Sequence, residues 1–314
     1  MRRARLWTAR AAIALGCAAA SAVAVARAQQ LPDTGVFRSG VALVSLNVTV
    51  RDNLNKNVPD LEERDFTVFE DGVKQPLVEV SRRRIPLALS LLLDSSASME
   101  DKLVMAQAAA SEFVRRLDPQ DRASVVDFDN RVQVLQDFTN DIPSLDAALR
   151  RIKANGSTAM FNAVYIALRD LERVRPAKAE DISRQAIILL SDGDDTSSLV
   201  PFDDVLDLAK RSHTSIYAIG IRSPEIGLVA RVTEGEFVLR RLAQETGGAA
   251  FFPQNANELP RIYREVADEL ATQYLVAYTP TNARPDGRWR RVSVRVTRPE
   301  CAARTRAGYY APAR

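Results

Sequence analysis

Residues Leu87–Ser98 read LALSLLLDSSAS. The run Leu87–Leu93 is almost wholly apolar and does not alternate. A strand covered on one face alternates apolar and polar residues, whereas an unbroken apolar run fits a strand buried on both faces of a parallel sheet. The run stops at Asp94-Ser95-Ser96-Ala97-Ser98, a short polar stretch of turn-forming residues. Beyond it, Leu103, Ala106, Ala110, Phe113, Val114 and Leu117 recur at helical spacing. A buried strand, a polar turn and an amphipathic helix make one βα unit.

The same alternation continues downstream. Strand patterns fall at Ala123–Phe128, Val132–Leu135, Ala186–Leu190, Ser215–Ile221 and Ala249–Phe252. Helix patterns fall at Ser144–Ile152, Phe161–Val174, Phe202–Arg211, Phe237–Thr246 and Leu259–Thr272. This order predicts an α/β domain over 85–272, a doubly wound and mostly parallel sheet with helices on both faces.

The flanks are different. Upstream, Val41–Val50, Phe66–Glu70 and Val73–Val80 read as strands, the last two joined by the hairpin signal Asp71-Gly72. Arg82-Arg83-Arg84 marks a solvated boundary. Downstream, Tyr274–Tyr278, Trp289–Val296 and Arg304–Tyr309 read as strands, with a turn at Pro285-Asp286-Gly287. A sheet of three short strands needs a covered face to be stable. The segments 29–84 and 273–314 are therefore expected to pair into one small β-sandwich-like domain, with the α/β domain inserted into it.

The chain has 314 residues, 46% apolar and 26% charged, which excludes disordered, collagenous and disulfide-rich classes. Its formal charge of +3 is misleading, because residues 1–28 carry five arginines and no acid. Those residues read as a secretory signal: a basic start, the apolar stretch Ala11–Ala26, and the cleavage pattern Ala26-Arg27-Ala28. Sixteen Ala-rich residues are short for a membrane span. Ala14-Leu15-Gly16 lacks the leucine that a lipidation site at Cys17 would carry three residues upstream. Cleavage after Ala28 would leave 38 basic against 40 acidic residues, a near-neutral periplasmic or secreted protein with no basic footprint for nucleic acid and no transmembrane helix. Cys301 would then be the sole cysteine, so neither a disulfide within the chain nor a thiolate metal site is expected.

In an open α/β sheet, ligands bind at the carboxyl ends of strands near a switch point. Three polar loops qualify: Asp94–Ser98, Asn155-Gly156-Ser157-Thr158, and Ser191-Asp192-Gly193. Carboxylates and hydroxyls without His or Cys suit Mg²⁺, with Mn²⁺ and Ca²⁺ as the other hard cations of that class. So few charges leave such an ion electrophilic and open to a further anionic oxygen.

These motifs, D-x-S-x-S, Gly156-Ser157-Thr158 and Ser191-Asp192-Gly193 in that order, resemble the von Willebrand factor A domain and its metal-ion-dependent adhesion site. The resemblance implies Asp94, Ser96, Ser98, Thr158 and Asp192 as metal ligands, directly or through water, with a partner protein's Asp or Glu completing the shell. Ser191 stands where the family often has Thr. The flanking DFTVFEDG at Asp65–Gly72, QYLVAYTP at Gln273–Pro280 and GYYAP at Gly308–Pro312 resemble secreted proteins of the VWFA-related type described from acidobacteria. The implied role is an exported, non-enzymatic, metal-dependent binding or adhesion protein.

The rival classes are a structural envelope-assembly subunit and a metal-assisted hydrolase. A Ser-His-Asp triad would need His213, the one histidine, beside Ser95, Ser96 or Ser98. A phosphoryl-accepting Asp94 would want an acid two residues on, where Ser96 stands. No G-x-S-x-G, P-loop or dinucleotide fingerprint occurs. Asp127-Phe128-Asp129-Asn130 opens like an EF-hand loop, but Arg131 follows, so a strand-end turn is expected. Met99 and Met160 are expected to pack, and Asp194 and Asp195 to be solvated, with tuning of the site's charge or binding of a second cation as the alternatives.

Overall fold

The computed structural model describes residues 43–174, 184–192, 194–221 and 233–313. The expected leader, Cys17 and Gly193 lie outside them.

The N-terminal strands are β1 (Val44–Asp52), β2 (Phe66–Glu70), β3 (Val73–Gln75) and β4 (Leu77–Ser81). The inserted strands are β5 (Leu87–Asp94), β6 (Arg122–Phe128), β7 (Val132–Thr139), β8 (Arg184–Ser191), β9 (Thr214–Gly220) and β10 (Ala250–Phe251). The chain ends in β11 (Tyr274–Tyr278), β12 (Trp289–Val296), β13 (Cys301–Arg304) and β14 (Gly308–Tyr310). Helices α1 (Glu100–Val114), α2 (Ile142–Leu149), α3 (Met160–Arg173), α4 (Phe202–Arg211), α5 (Glu234–Thr246) and α6 (Leu259–Thr272) all fall in the insertion.

Terminal strands from both ends of the chain share two four-stranded sheets, ordered β13-β1-β11-β4 and β14-β12-β2-β3. Their inner faces close on one core that includes Leu46, Val48, Phe66, Val68, Tyr274, Val276 and Val292. Each end supplies four strands rather than the expected three. Val73–Val80 is broken at Pro76, which has no N–H for a ladder, and the chain changes sheets there. Arg304–Tyr309 is likewise two strands, β13 and β14, in different sheets. The Asp71-Gly72 hairpin is present, with both residues at positive φ (48° and 83°), as a two-residue turn requires.

The central sheet has the order β10-β9-β8-β5-β6-β7, parallel except for β7. All eight residues of β5 are buried. Leu87, Leu89, Leu91 and Leu93 face the core under α1, α2 and α6. Ala88 and Leu92 face the opposite core, under α3, α4 and α5. Each leucine buried in this way contributes roughly 1.5–3 kcal/mol. The chain leaves β5 toward β6 on one side and returns to β8 on the other. That reversal puts a switch point at the carboxyl end of β5.

The insertion leaves from β4 and re-enters at β11, which are antiparallel neighbours with Ser81 opposite Leu275. Two adjacent strands can thus carry a whole domain without distorting the sandwich. The two layers meet at Glu269 of α6, which is 0% exposed. Its carboxylate accepts from Thr49 Oγ1 (3.1 Å), Tyr217 OH (2.7 Å), Arg51 Nη2 (2.6 Å) and Arg304 Nη2. Burial alone would raise its pKa, but Arg304, the Tyr217 hydrogen bond and Arg51 together hold it below the ordinary glutamate value.

Helix α5 ends at Gly247, in the left-handed conformation at φ 79°. A Cβ on the next residue, Gly248, would lie 1.9 Å from the carbonyl oxygen of Ile216 in β9. The Gly248→Ala protein is expected to lose about 3 kcal/mol, the upper end for overpacking, because backbone rather than a flexible side chain must yield. Urea unfolding measures it; a midpoint equal to that of the wild type would refute the contact.

Candidate metal centre

Strand β5 ends at Asp94 and strand β8 at Ser191, so both following turns open on the carboxyl edge at the switch point. After Asp94 a short 3-10 turn, Ala97–Met99, leads directly into α1. Backbone bonds fix the middle loop against this turn: Ala97 N donates to Gly156 O (3.0 Å) and Asn155 N to Ser95 O (2.6 Å). The three loops therefore meet on one edge, as the sequence reading expects.

Asp94 is 0% exposed. Its Oδ1 accepts from Ser96 N (2.8 Å) and its Oδ2 from Ser191 Oγ (2.5 Å). Ser96 Oγ lies 3.1 Å from Ser98 Oγ, and Ser98 Oγ donates to Asp192 Oδ1 (2.8 Å). These contacts join Asp94, Ser96, Ser98 and Asp192 into one chain of polar groups. Thr158 is not joined to that chain by a hydrogen bond among the described residues. It is buried, its N donates to Thr196 Oγ1 (3.0 Å) and its carbonyl accepts from Thr196 N (2.9 Å), tying the middle loop to the third.

Burial pushes the Asp94 carboxyl up to about 6, against the pull of hydrogen bonds from Ser191 and Ser96, and the charge of Asp192 adds to the rise. The Asp192 side chain also has no exposure. Two buried carboxylates that feel each other's charge favour a cation beside them, and the Lys102 ammonium bonds one of them. The donors are carboxylate and hydroxyl oxygens, which fit a hard divalent ion and not a soft one. Among the described residues no group of three or more His, Cys, Asp or Glu is placed to hold a metal. Any ion at this edge therefore depends on the hydroxyls as well as the acids.

Several neighbours have roles that the motif does not announce. Ser191 orients Asp94. Lys102, in the first turn of α1, bonds Asp192 Oδ2. Asp194 and Asp195 are not simply solvated. Asp195 Oδ2 accepts from Phe161 N at the start of α3 (2.8 Å), and Asp194 Oδ1 accepts from Gly235 N at the start of α5. Each acid satisfies a free amide in a first helical turn, where the helix dipole favours negative charge. Four-residue spacing on a helix could have flagged Lys102 from Ser98. Nothing in the sequence tells which loop a given acid will face.

The EF-hand-like loop and the Ser-His-Asp triad find no geometry. Met99 and Met160 are 0% exposed and sit in the two cores. Asp129 closes a strand-end turn, with Oδ1 accepting from Arg131 N (2.7 Å). His213 immediately precedes β9, and its Nδ1 lies 2.9 Å from Arg306 Nη1. Because β9 and β5 run parallel in one sheet, a strand of seven residues separates His213 from the edge that carries the serines, about 20 Å at 3.3 Å per residue. A Ser-His-Asp triad is excluded.

A doubly wound α/β domain with a carboxylate–hydroxyl crevice at its switch point is the class that fold and site define. The chain belongs to the von Willebrand factor type A domain family, which it matches over residues 89–265. The uncharacterized protein sll0103 of Synechocystis is 26% identical over 193 residues, covering 60% of this chain and 43% of that protein. A UPF0353 protein of Mycolicibacterium paratuberculosis is 27% identical over 207 residues, covering 60% of this chain and 63% of that one. The chain thus spans less than two thirds of either relative. The solved structure of a von Willebrand factor type A protein from Catenulispora acidiphila has the same fold, at 15% identity and a TM-score of 0.51, covering 88% of this chain and 64% of that one. No helix among the described residues is long and apolar enough to cross a membrane.

Proposed function

We propose that this chain is an exported, non-enzymatic binding protein that engages its partner through a divalent cation. Asp94, Ser96, Ser98, Thr158 and Asp192 would hold Mg²⁺, directly or through water. The observation that carries the reading is the buried Asp94–Asp192 pair, linked through Ser96 and Ser98 at the open edge of the sheet. Bound there, the ion would act as a Lewis acid that accepts one more oxygen from outside. With only two carboxylates around it, it would keep positive charge, and a partner's Asp or Glu is the donor that best matches that charge.

The chain's own groups do the positioning. Ser191 and the Ser96 amide hold both oxygens of Asp94 in one orientation. Asp194 and Asp195 anchor the third loop to two helix starts. The sandwich meets the insertion near the strand starts, as the His213–Arg306 contact shows, and so lies away from this edge.

The test is affinity capture from the native extracellular or periplasmic fraction, in Mg²⁺ and in EDTA. A partner retained only in Mg²⁺ is the expected result. Equal retention in EDTA would overturn the reading. A rise in melting temperature with Mg²⁺ and no metal-dependent partner would favour a structural role for the ion.

A further inference from the structure

We propose that Lys102 is a built-in counter-ion that competes with the divalent cation for Asp192 and so sets the ion affinity of the site. The inference rests on the metal reading above and adds how the site is regulated.

Lys102 lies four residues after Ser98, in the first turn of α1. Helical side chains lean toward the helix N-terminus, so a long residue at this position reaches back over the turn that precedes the helix. Its ammonium does so. Nζ bonds Asp192 Oδ2 and lies 3.3 Å from the Ser98 carbonyl oxygen. The other oxygen, Asp192 Oδ1, takes the Ser98 hydroxyl at 2.8 Å. Both oxygens of a carboxylate with no solvent exposure are therefore engaged from within the chain.

Two consequences follow. The first and third loops stay joined without an ion, because an ammonium and a hydroxyl from the α1 side already hold Asp192. A divalent ion must also share the Asp192 carboxylate with the ammonium or displace it. The exchange is feasible because the Lys102 side chain is 18% exposed, has a flexible stem, and can turn its head to water. The ion wins by its double charge, but it binds against a competitor rather than into an empty carboxylate cage. Removing the competitor should tighten binding and loosen the ion-free form.

The experiment is calorimetric titration of the full chain with Mn²⁺ and Mg²⁺, for wild type, K102M and K102Q, with melting temperatures in EDTA. K102M keeps the stem and its packing. K102Q keeps a polar head without charge. The expected result is a Kd at least tenfold lower in both variants, with a lower melting temperature in EDTA and a larger rise on adding the ion. Unchanged or weaker binding in both variants, in a wild type that binds, overturns the competition and leaves the metal site standing. No binding by any of the three proteins overturns the metal reading, and the competition falls with it.

Discussion

The Asp94→Asn protein is expected to lose divalent-cation binding outright while keeping its fold. Asparagine preserves the shape and still accepts one hydrogen bond, from the Ser96 amide or the Ser191 hydroxyl. It removes one of the two charges that attract the ion. The loss should exceed the ~10–100-fold that removal of an outer-shell partner costs in metal sites. Stability in EDTA should not fall, because the replaced carboxylate is fully buried, beside Asp192, with its pKa raised by desolvation. The neutral side chain has no such cost. Calorimetry with Mn²⁺ and melting in EDTA check both halves. Wild-type ion affinity in this variant would show that Asp94 is not a ligand, and a collapsed fold would show that its charge is structural.

Glu269→Ala is expected to have the largest effect on stability, about 3–5 kcal/mol, the range for breaking a buried ion pair from one side. The carboxylate accepts from Thr49, Tyr217, Arg51 and Arg304. Its removal takes from Arg304 its carboxylate partner at the contact between the sandwich and the insertion, and leaves Arg51 with Glu265 alone. Glu269→Gln restores the volume and some hydrogen bonds, and should recover part of the loss. The pH dependence has a definite sign. The folded pKa of Glu269 lies below its unfolded value, so its contribution is fully present above about pH 4.5 and is lost as pH falls through the lower folded value. Acid unfolding of the wild type should therefore be steeper below about pH 4.5 than that of either variant. Urea unfolding from pH 7 to pH 3 reads it, and parallel curves would remove Glu269 from the account.

Much of this fold was legible because its strongest signals are local. Leu87–Leu93 could be read as doubly buried from composition alone, and β5 occupies the centre of the sheet. Helices α4 and α6 match their expected spans, since their apolar stripes and ends are unambiguous. The sandwich strands were harder. Where the chain changes sheets, at Pro76 and again between Arg304 and Gly308, the decision depends on which sheet offers a free edge, and that edge comes from the far end of the chain. The site divides in the same way. D-x-S-x-S announces oxygen donors, and the structure joins Asp94, Ser96, Ser98 and Asp192. Lys102, Ser191, Asp194 and Asp195 act across loops, and no spacing rule could have assigned them their partners.

The pairing of β1 with β11 and β13 carries a consequence for the order of folding. Val48 faces Tyr274, and Asp52 faces Cys301, so the first described strand finds its partners only when the last ones have been made. A flexible loop of that length would be slow to close. The insertion removes most of that delay. Once its own parallel sheet has formed, β4 and β11 emerge as neighbours, and the remaining search is short. The α/β domain is therefore expected to fold first and to serve as the template on which the sandwich assembles. Until then β1 and β2 are open edges, exposed to strands of other chains. A defect in the insertion core would thus first show as aggregation through the sandwich strands.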